Sequence, residues 1–321
     1  MRNSIKKFFG NISPFNNKTD MSKPRFIVKK LLAYLLCNMG GMIAGTAVVV
    51  LLHFPLGLNP LRGEAFEGHP ALLFTMLNYL LPTVCVLLYW HFVEKKTLSE
   101  MYLKHGARGY LAGCLTGAGL LAACVGFILL TGSIRINGLT ADPDLLTIAL
   151  NGGVFVFQSA REEILCRGLA FCFLKDKLGA RAAFVFGTAA FMIPHLSALE
   201  GAGTAVTAVC ILNMVLISAV FTLIMLVTDS LWAACGAHFL WNFFLNNIFG
   251  LTLSGTETDM NSIIRAESVG SSVLNGGSFG IEASIVTAAV YAVCAGLLYF
   301  ICRKKTAVRT TANEGGLVYG L

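Results

Sequence analysis

Charge is what this sequence has least of. Only 13% of its 321 residues are Asp, Glu, Lys or Arg, against about 25% in soluble proteins, which excludes an ordinary soluble domain. Proline is sparse at 8 residues and the 33 glycines follow no fixed period, so the chain is not fibrous. A 56% hydrophobic content and a mean hydropathy of +0.72 exclude a disordered chain. The ten cysteines contain no C-x-x-C pair and all fall inside apolar runs, where they read as small buried hydrophobes and not as disulfides. H-E-x-x-H, P-loop and Rossmann glycine patterns are absent as well. One G-x-S-x-G stands at Gly276 to Gly280, in a polar loop with neither strand before it nor helix directly after, and is accidental.

What is present is a series of long apolar runs. A spanning helix needs about 20 mostly apolar residues, and eight segments qualify: Leu31 to Phe54, Ala71 to Phe92, Tyr110 to Leu130, Leu145 to Leu174, Ala182 to Leu199, Ala205 to Val227, Leu231 to Phe249 and Ala283 to Cys302. The first run is longer than a signal-peptide core and is kept as an anchor. The expected fold is all-α, a polytopic membrane bundle of about eight transmembrane helices. Its parts are a basic cytoplasmic arm (1–30), a transmembrane domain (31–302, with the motif-bearing core at about 145–249) and a cytoplasmic tail (303–321). The segment Gly250 to Glu282, rich in Ser, Gly and Thr, is expected as a mobile surface loop.

Lys and Arg accumulate on the cytoplasmic side of membrane proteins. The N-terminal arm, the connection after the second span, the end of the fourth span with its connection, and the tail together hold 21 of the 24 basic residues. Both termini are therefore expected in the cytoplasm, and topology accounts for the net charge of +7 without a nucleic-acid partner. The expected surroundings are membrane lipid, in a plasma membrane, bacterial because no organellar targeting segment is visible. Small residues four apart, Gly41 with Gly45 and Gly109 with Gly113 and Gly117, either let helices approach closely or are simply scattered in membrane helices.

Four charges interrupt the fourth run: Arg161, Glu162, Glu163 and Arg167. Each costs about 2.5 to 3.5 kcal/mol at a helix centre on insertion scales, so something must offset them. Glu163 and Arg167 stack one turn apart with the acid N-terminal, the favoured order; such a pair is either a structural salt bridge or a support that holds its neighbour. Glu162 points about 100° away, with only Gln158 one turn before it. His195 interrupts the fifth run, and His238 with Asn242, one turn apart on one face, the seventh. At 1.5 Å per residue, Glu162 lies about 20 Å from Lys175, His195 about 21 Å from Arg181, and His238 and Asn242 about 14 and 20 Å from Asp229, so the four share one layer.

A buried carboxylate and an imidazole that reach one water can deprotonate it. The oxyanion formed when that water attacks a peptide carbonyl needs donors already in place, which His238 and Asn242 can supply. Taken singly, each residue has a plainer reading: a lone intramembrane His or Asn is often a link between helices. His53, His69, His91 and His105 lie at span ends or in connections and read as interfacial or solvated; Trp90, Trp232 and Trp241 read as packing residues.

The set Glu162-Glu163-x-x-x-Arg167-Gly168, then Phe191-x-x-x-His195, then His238-x-x-x-Asn242 resembles the CPBP intramembrane proteases, or Abi family, which includes the type II CAAX prenyl endopeptidases. The resemblance covers Asn151 to Asn247. It implies an all-helical bundle with a cavity open to the cytosolic leaflet, water activated by Glu162 and His195, an oxyanion hole of His238 and Asn242, and support from Glu163 and Arg167. This reading requires no cofactor; zinc on Glu162, His195 and His238, with water as fourth ligand, is the alternative. Arg161, Cys166 and Pro194 depart from the common pattern, and Pro194 removes a backbone donor beside His195. Other functional classes are a non-catalytic scaffold, such as a bacteriocin self-immunity protein, and a proton-coupled transporter, the latter weakened because no paired interrupted helices mark a midplane site.

Overall fold

A computed structural model describes residues 12–256 and 261–316, with side chains to 305. The chain forms an all-α membrane bundle. Among the described residues six helices are long and apolar enough to cross a membrane: α1 (Lys23–Leu56), α2 (Gly68–Val93), α3 (Gly106–Leu130, within the span Leu98–Leu130), α6 (Ala180–Met192, within Ala180–Leu199), α7 (Thr204–Thr228) and α9 (Ile285–Gly316, spanning to Lys305). The other two expected spans are α4 (Leu145–Glu163), continued by a π-helical stretch Ile164–Phe171 and α5 (Cys172–Leu178), and α8 (Leu231–Phe243), continued by Phe244–Ile248. Polar residues lower their hydropathy, and both are packed inside the bundle. On α8, Ala233, Ala234, Cys235 and Ala237 are wholly enclosed.

Small residues make the tightest crossing. A Cβ on Gly113 would lie 1.9 Å from the Ala233 carbonyl oxygen, and one on Gly236 would lie 2.1 Å from that of Tyr110. The glycine series on α3 is thus the close-approach face that lets α8 sit at the centre. Gly41 and Gly45 of α1 meet Pro82 of α2 in the same way.

The helix ends sort the connections into two groups. On one end, Lys96 pairs with Asp176 at 3.3 Å and Lys104 with Asp229 at 3.1 Å, while Lys175 donates to the Tyr102 hydroxyl at 2.9 Å. On the other end, Asp144 caps α4 by accepting from the Leu146 and Thr147 N–H groups, both at 3.0 Å. Its carboxyl is pushed down to about 2 by the Thr147 hydroxyl and amide, with a smaller pull from His69. His69 also contacts the Thr147 hydroxyl at 2.9 Å.

Several local expectations are revised. Helix α1 begins at Lys23, inside the segment expected as a solvated arm, and buries Lys29 and Lys30; Lys30 is paired with Glu94 at 2.5 Å. Helix α9 continues into the expected tail as far as Gly316. His53 is buried and packs on Phe66 and Phe74 instead of being solvated. Residues 1–11, 257–260 and 317–321 of the predicted arm, loop and tail lie outside the described residues. The described parts of the 250–282 segment are folded: β2 (Ile264–Ser268) pairs antiparallel with β1 (Ile134–Leu139), and Leu251, Leu253, Phe279 and Ile281 are buried. Among the described residues no disulfide forms.

Candidate functional site

Helix α4 carries the acids, and its change to π-helical hydrogen bonding directly after Glu163 is a device found frequently at functional sites. Glu162 Oε1 accepts from Gln158 Nε2 at 3.2 Å, the contact their one-turn spacing predicts. Its Oε2 has no hydrogen-bond partner and faces His238 Nε2 at 3.9 Å. Glu163 is enclosed completely; its Oε1 accepts from Arg167 Nη1 and contacts His238 Nδ1, each at 2.9 Å.

Arg167 is the anchor of this arrangement. Nη2 donates to Ser218 Oγ on α7 at 3.0 Å, and Ser218 Oγ lies 2.9 Å from Thr188 Oγ1 on α6. The guanidinium sits 4.7 Å from the Phe191 ring centroid and 5.5 Å from that of Phe221. A polar chain thus links α4, α8, α7 and α6 through the middle of the bundle. Desolvation of two charges costs several kcal/mol per ion, and these bonds and ring contacts offset it. Arg161, the departure from the common pattern, donates to Asn38 Oδ1 on α1 at 3.1 Å and lies over the Tyr79 ring. The 21 basic residues assigned to the cytoplasmic side included Arg161 and Arg167, which belong to this buried layer and not to a connection.

His238 is held between the paired glutamates and stacked on Phe221 at 5.1 Å. Both ring nitrogens face carboxylates, an arrangement that suits a doubly protonated ring. Asn242 Nδ2 donates to Gln158 Oε1 at 3.0 Å. The two residues expected as a free donor pair therefore each have an α4 partner, and Asn242 keeps one further N–H.

His195 is oriented by a different route. At Pro194 helix α6 gives way to a 3-10 helix, Ile193–Leu199. An N–H at residue 194 would answer the Phe191 carbonyl in 3-10 bonding, and proline has none. The His195 side chain does so instead, Nδ1 lying 2.8 Å from Phe191 O. A carbonyl only accepts, so Nδ1 carries a hydrogen, and in the neutral ring Nε2 is the acceptor.

Two cavities meet at this layer. One of about 320 Å³ is lined by Gln158, His195, His238 and Asn242, and by Asn213, Ser254 and Glu282, which sequence reasoning missed. The other, about 210 Å³, is lined by Glu162, Arg161, Tyr34 and Asn38. Phe191 and His195 line both. The larger cavity is walled by Leu253, Ser254, Thr256, Phe279 and Glu282, all from the segment that bears β2, at the end of the bundle away from the basic connections. Asn213, an intramembrane Asn, carried a signal in the sequence; Glu282, at a loop-to-helix junction, carried none. Trp241 does more than pack, since its indole N–H donates to Glu282 Oε1 at 3.2 Å. Burial pushes the Glu282 carboxyl up from its ordinary value, opposed by the donors of Ser254.

Among the described residues, no three His, Cys, Asp or Glu side chains gather as a metal-ligand set. His238 Nδ1 is engaged by Glu163, which leaves Nε2, facing Glu162, as its free ring nitrogen.

The fold and this layer define the class: a multi-pass membrane protein with acids, imidazoles and amides gathered inside its helix bundle. Residues 143–244 match the model of a family described as "Type II CAAX prenyl endopeptidase Rce1-like". That segment, from the cap of α4 to the end of α8, is thus similar to a family whose description is that of an endopeptidase. The match covers about a third of the chain and contains all three motifs. No curated protein and no solved structure matches significantly.

Proposed function

We propose that this protein is an endopeptidase that hydrolyses a peptide bond within a bacterial plasma membrane, with Glu162 and His195 activating the water and His238 and Asn242 stabilising the oxyanion. The observation that carries the reading is the unpartnered Oε2 of Glu162, 3.9 Å from His238 Nε2. Two hydrogen bonds of ordinary length from one oxygen span that gap at an angle of about 90°, the arrangement of a water that donates to Oε2 and accepts from Nε2. His195, whose Nε2 is the acceptor in the neutral ring and which lines both cavities, serves as the second acceptor for the water's proton. Asn242 turns its spare N–H to the oxyanion. Glu163 and Arg167 are positioning residues: they hold His238 by its far nitrogen and keep the fourth helix in register.

The reading uses only the chain's own groups and requires no cofactor. The termini are cytoplasmic by the distribution of Lys and Arg, which puts the larger cavity toward the outer face. The substrate is a peptide or a membrane protein.

The test is cleavage of a fluorogenic peptide panel by the purified protein in detergent, with and without a chelator. A general base contributes about 10²- to 10⁴-fold, so Glu162→Gln is expected to lose at least about a hundredfold in turnover, and chelator is expected to leave the wild type unaffected. Unchanged cleavage by Glu162→Gln refutes the assignment.

A further inference from the structure

The larger cavity has a second pole of unused chemistry. Glu282 reaches it from the turn Ile281–Ala283, ahead of α9. Its carboxylate is held rigidly: Ser254 N–H donates to Oε2 at 2.6 Å, the Ser254 hydroxyl donates to the same atom at 2.8 Å, and Trp241 donates to Oε1 at 3.2 Å. Ser254 delivers both donors from a left-handed conformation, φ 48°, which a non-glycine residue adopts at a cost of about 1 to 3 kcal/mol and which is found at ligand clamps.

Asn213 lines the same cavity from α7 and is 1% exposed. Its orientation is unambiguous, because Nδ2 donates to two carbonyls, Glu282 O at 2.9 Å and Ser284 O at 2.8 Å. Both of its hydrogens are thereby used, and Oδ1 is left buried with no donor. An unanswered buried acceptor costs about 1 to 3 kcal/mol, and a carboxylate in a low-dielectric wall gains most from a counter-charge. No Lys or Arg lines the cavity; of its two imidazoles His238 is held by Glu163, and His195 is the one whose charge reaches Glu282. A carboxylate and an orphan acceptor together call for a ligand that is all donors and positively charged.

We propose that Glu282 and Asn213 form a subsite that binds a cationic donor group of the peptide, an ammonium or guanidinium, in the cavity shared with His195, His238 and Asn242. The subsite rests on the endopeptidase reading for its place in a reaction, but it makes a prediction about binding alone. It selects peptides that carry Lys, Arg or a free α-amino group near the bond presented to Glu162. Glu282 and Ser254 come from outside the family-matched segment, Asn213 and Trp241 from within it.

Three tripeptides separate the possibilities: acetyl-Ala-Lys-Ala-amide, Ala-norleucine-Ala-amide with a free amino terminus, and acetyl-Ala-norleucine-Ala-amide with no cation. Binding to the full-length protein in detergent is followed by calorimetry and by the emission of Trp241, whose indole N–H is bonded to Glu282. At least one cationic tripeptide is expected to bind about tenfold more tightly than the neutral one, and which of the two does so identifies side chain or α-amino group as the source. Glu282→Gln is expected to reduce that preference to less than about twofold, and Glu282→Asp, which keeps the charge, to retain part of it. Equal binding of all three tripeptides by the wild type overturns the proposal without recourse to any variant. A preference that survives Glu282→Gln overturns it as well. Failure of the endopeptidase reading is seen separately, as unchanged cleavage by Glu162→Gln, and leaves these binding results intact.

Discussion

Replacing Arg167 with Met keeps most of the side chain's volume and removes its charge from the centre of the bundle. The guanidinium is 1% exposed and Glu163 is 0% exposed, so the variant leaves a carboxylate facing only His238 in a region without solvent. Removing one partner of a buried ion pair costs about 3 to 5 kcal/mol. An independent bound comes from the alternative of neutralising the acid: protonating an ordinary glutamic acid, with a titration point of about 4.3, costs about 3.7 kcal/mol at pH 7. The two figures agree, so Arg167→Met is expected to destabilise the protein by about 4 kcal/mol. Adding Glu163→Gln removes the stranded charge while keeping an acceptor for His238 Nδ1, and the double variant is expected to recover more than half of the loss. The assay is equilibrium unfolding in mixed micelles for wild type, both single variants and the double variant. Additivity within about 0.5 kcal/mol, the behaviour of independent sites, would refute the claim that the pair acts as one unit.

Further outcomes follow from the same geometry. Gly113→Ala puts a Cβ 1.9 Å from the Ala233 carbonyl oxygen and is expected to lower stability by about 1 to 3 kcal/mol as α3 and α8 separate; Gly126→Ala on the same helix, where nothing lies within 4 Å, serves as the control and leaves the thermal midpoint nearly unchanged. Pro194→Ala restores an N–H that competes with His195 for the Phe191 carbonyl, so it is expected to reduce turnover about tenfold or more with little change in KM, measured with a peptide the wild type cleaves. The Asp144 carboxyl is depressed to about 2, so its cap contributes fully above the ordinary Asp value and is lost as the pH falls through about 2. Amide exchange at Leu146 and Thr147 is expected to stay protected at pH 4 and to rise in Asp144→Ala; equal exchange in the two proteins at pH 4 would contradict the cap.

The parts of the site legible in the sequence are those governed by helical periodicity. Glu163 with Arg167, and Gln158 with Glu162, are one turn apart and bond as that spacing requires. Depth was legible too, because a charge in an apolar run must meet another polar group. What periodicity could not reveal is which groups meet across helices: Asn242 bonds Gln158 from 84 residues away, and His238 chooses Glu163 at Nδ1. The π-helical stretch after Glu163 leaves no mark on apolar spacing. The segment 250–282 reads as a solvated loop because its Ser, Gly and Thr residues lack any apolar period. Its order comes from pairing with β1 and from capping the bundle, both long-range contacts. Glu282 was missed for the same reason, since a single acid beside a span is ordinarily a solvated one.

Two stretches of chain contribute to the larger cavity on different terms. Gln158, His195, His238 and Asn242 fall inside the family-matched residues 143–244, whereas Leu253, Ser254, Thr256, Phe279 and Glu282 fall outside them. The wall hangs on the bundle chiefly through Asn213, Trp241 and the strand pair. Its composition can therefore drift, residue by residue, while the inner helices stay constrained by their shared polar chain. A graft of residues 250–283 between two such proteins would carry over what each one selects and leave behind how each one cuts.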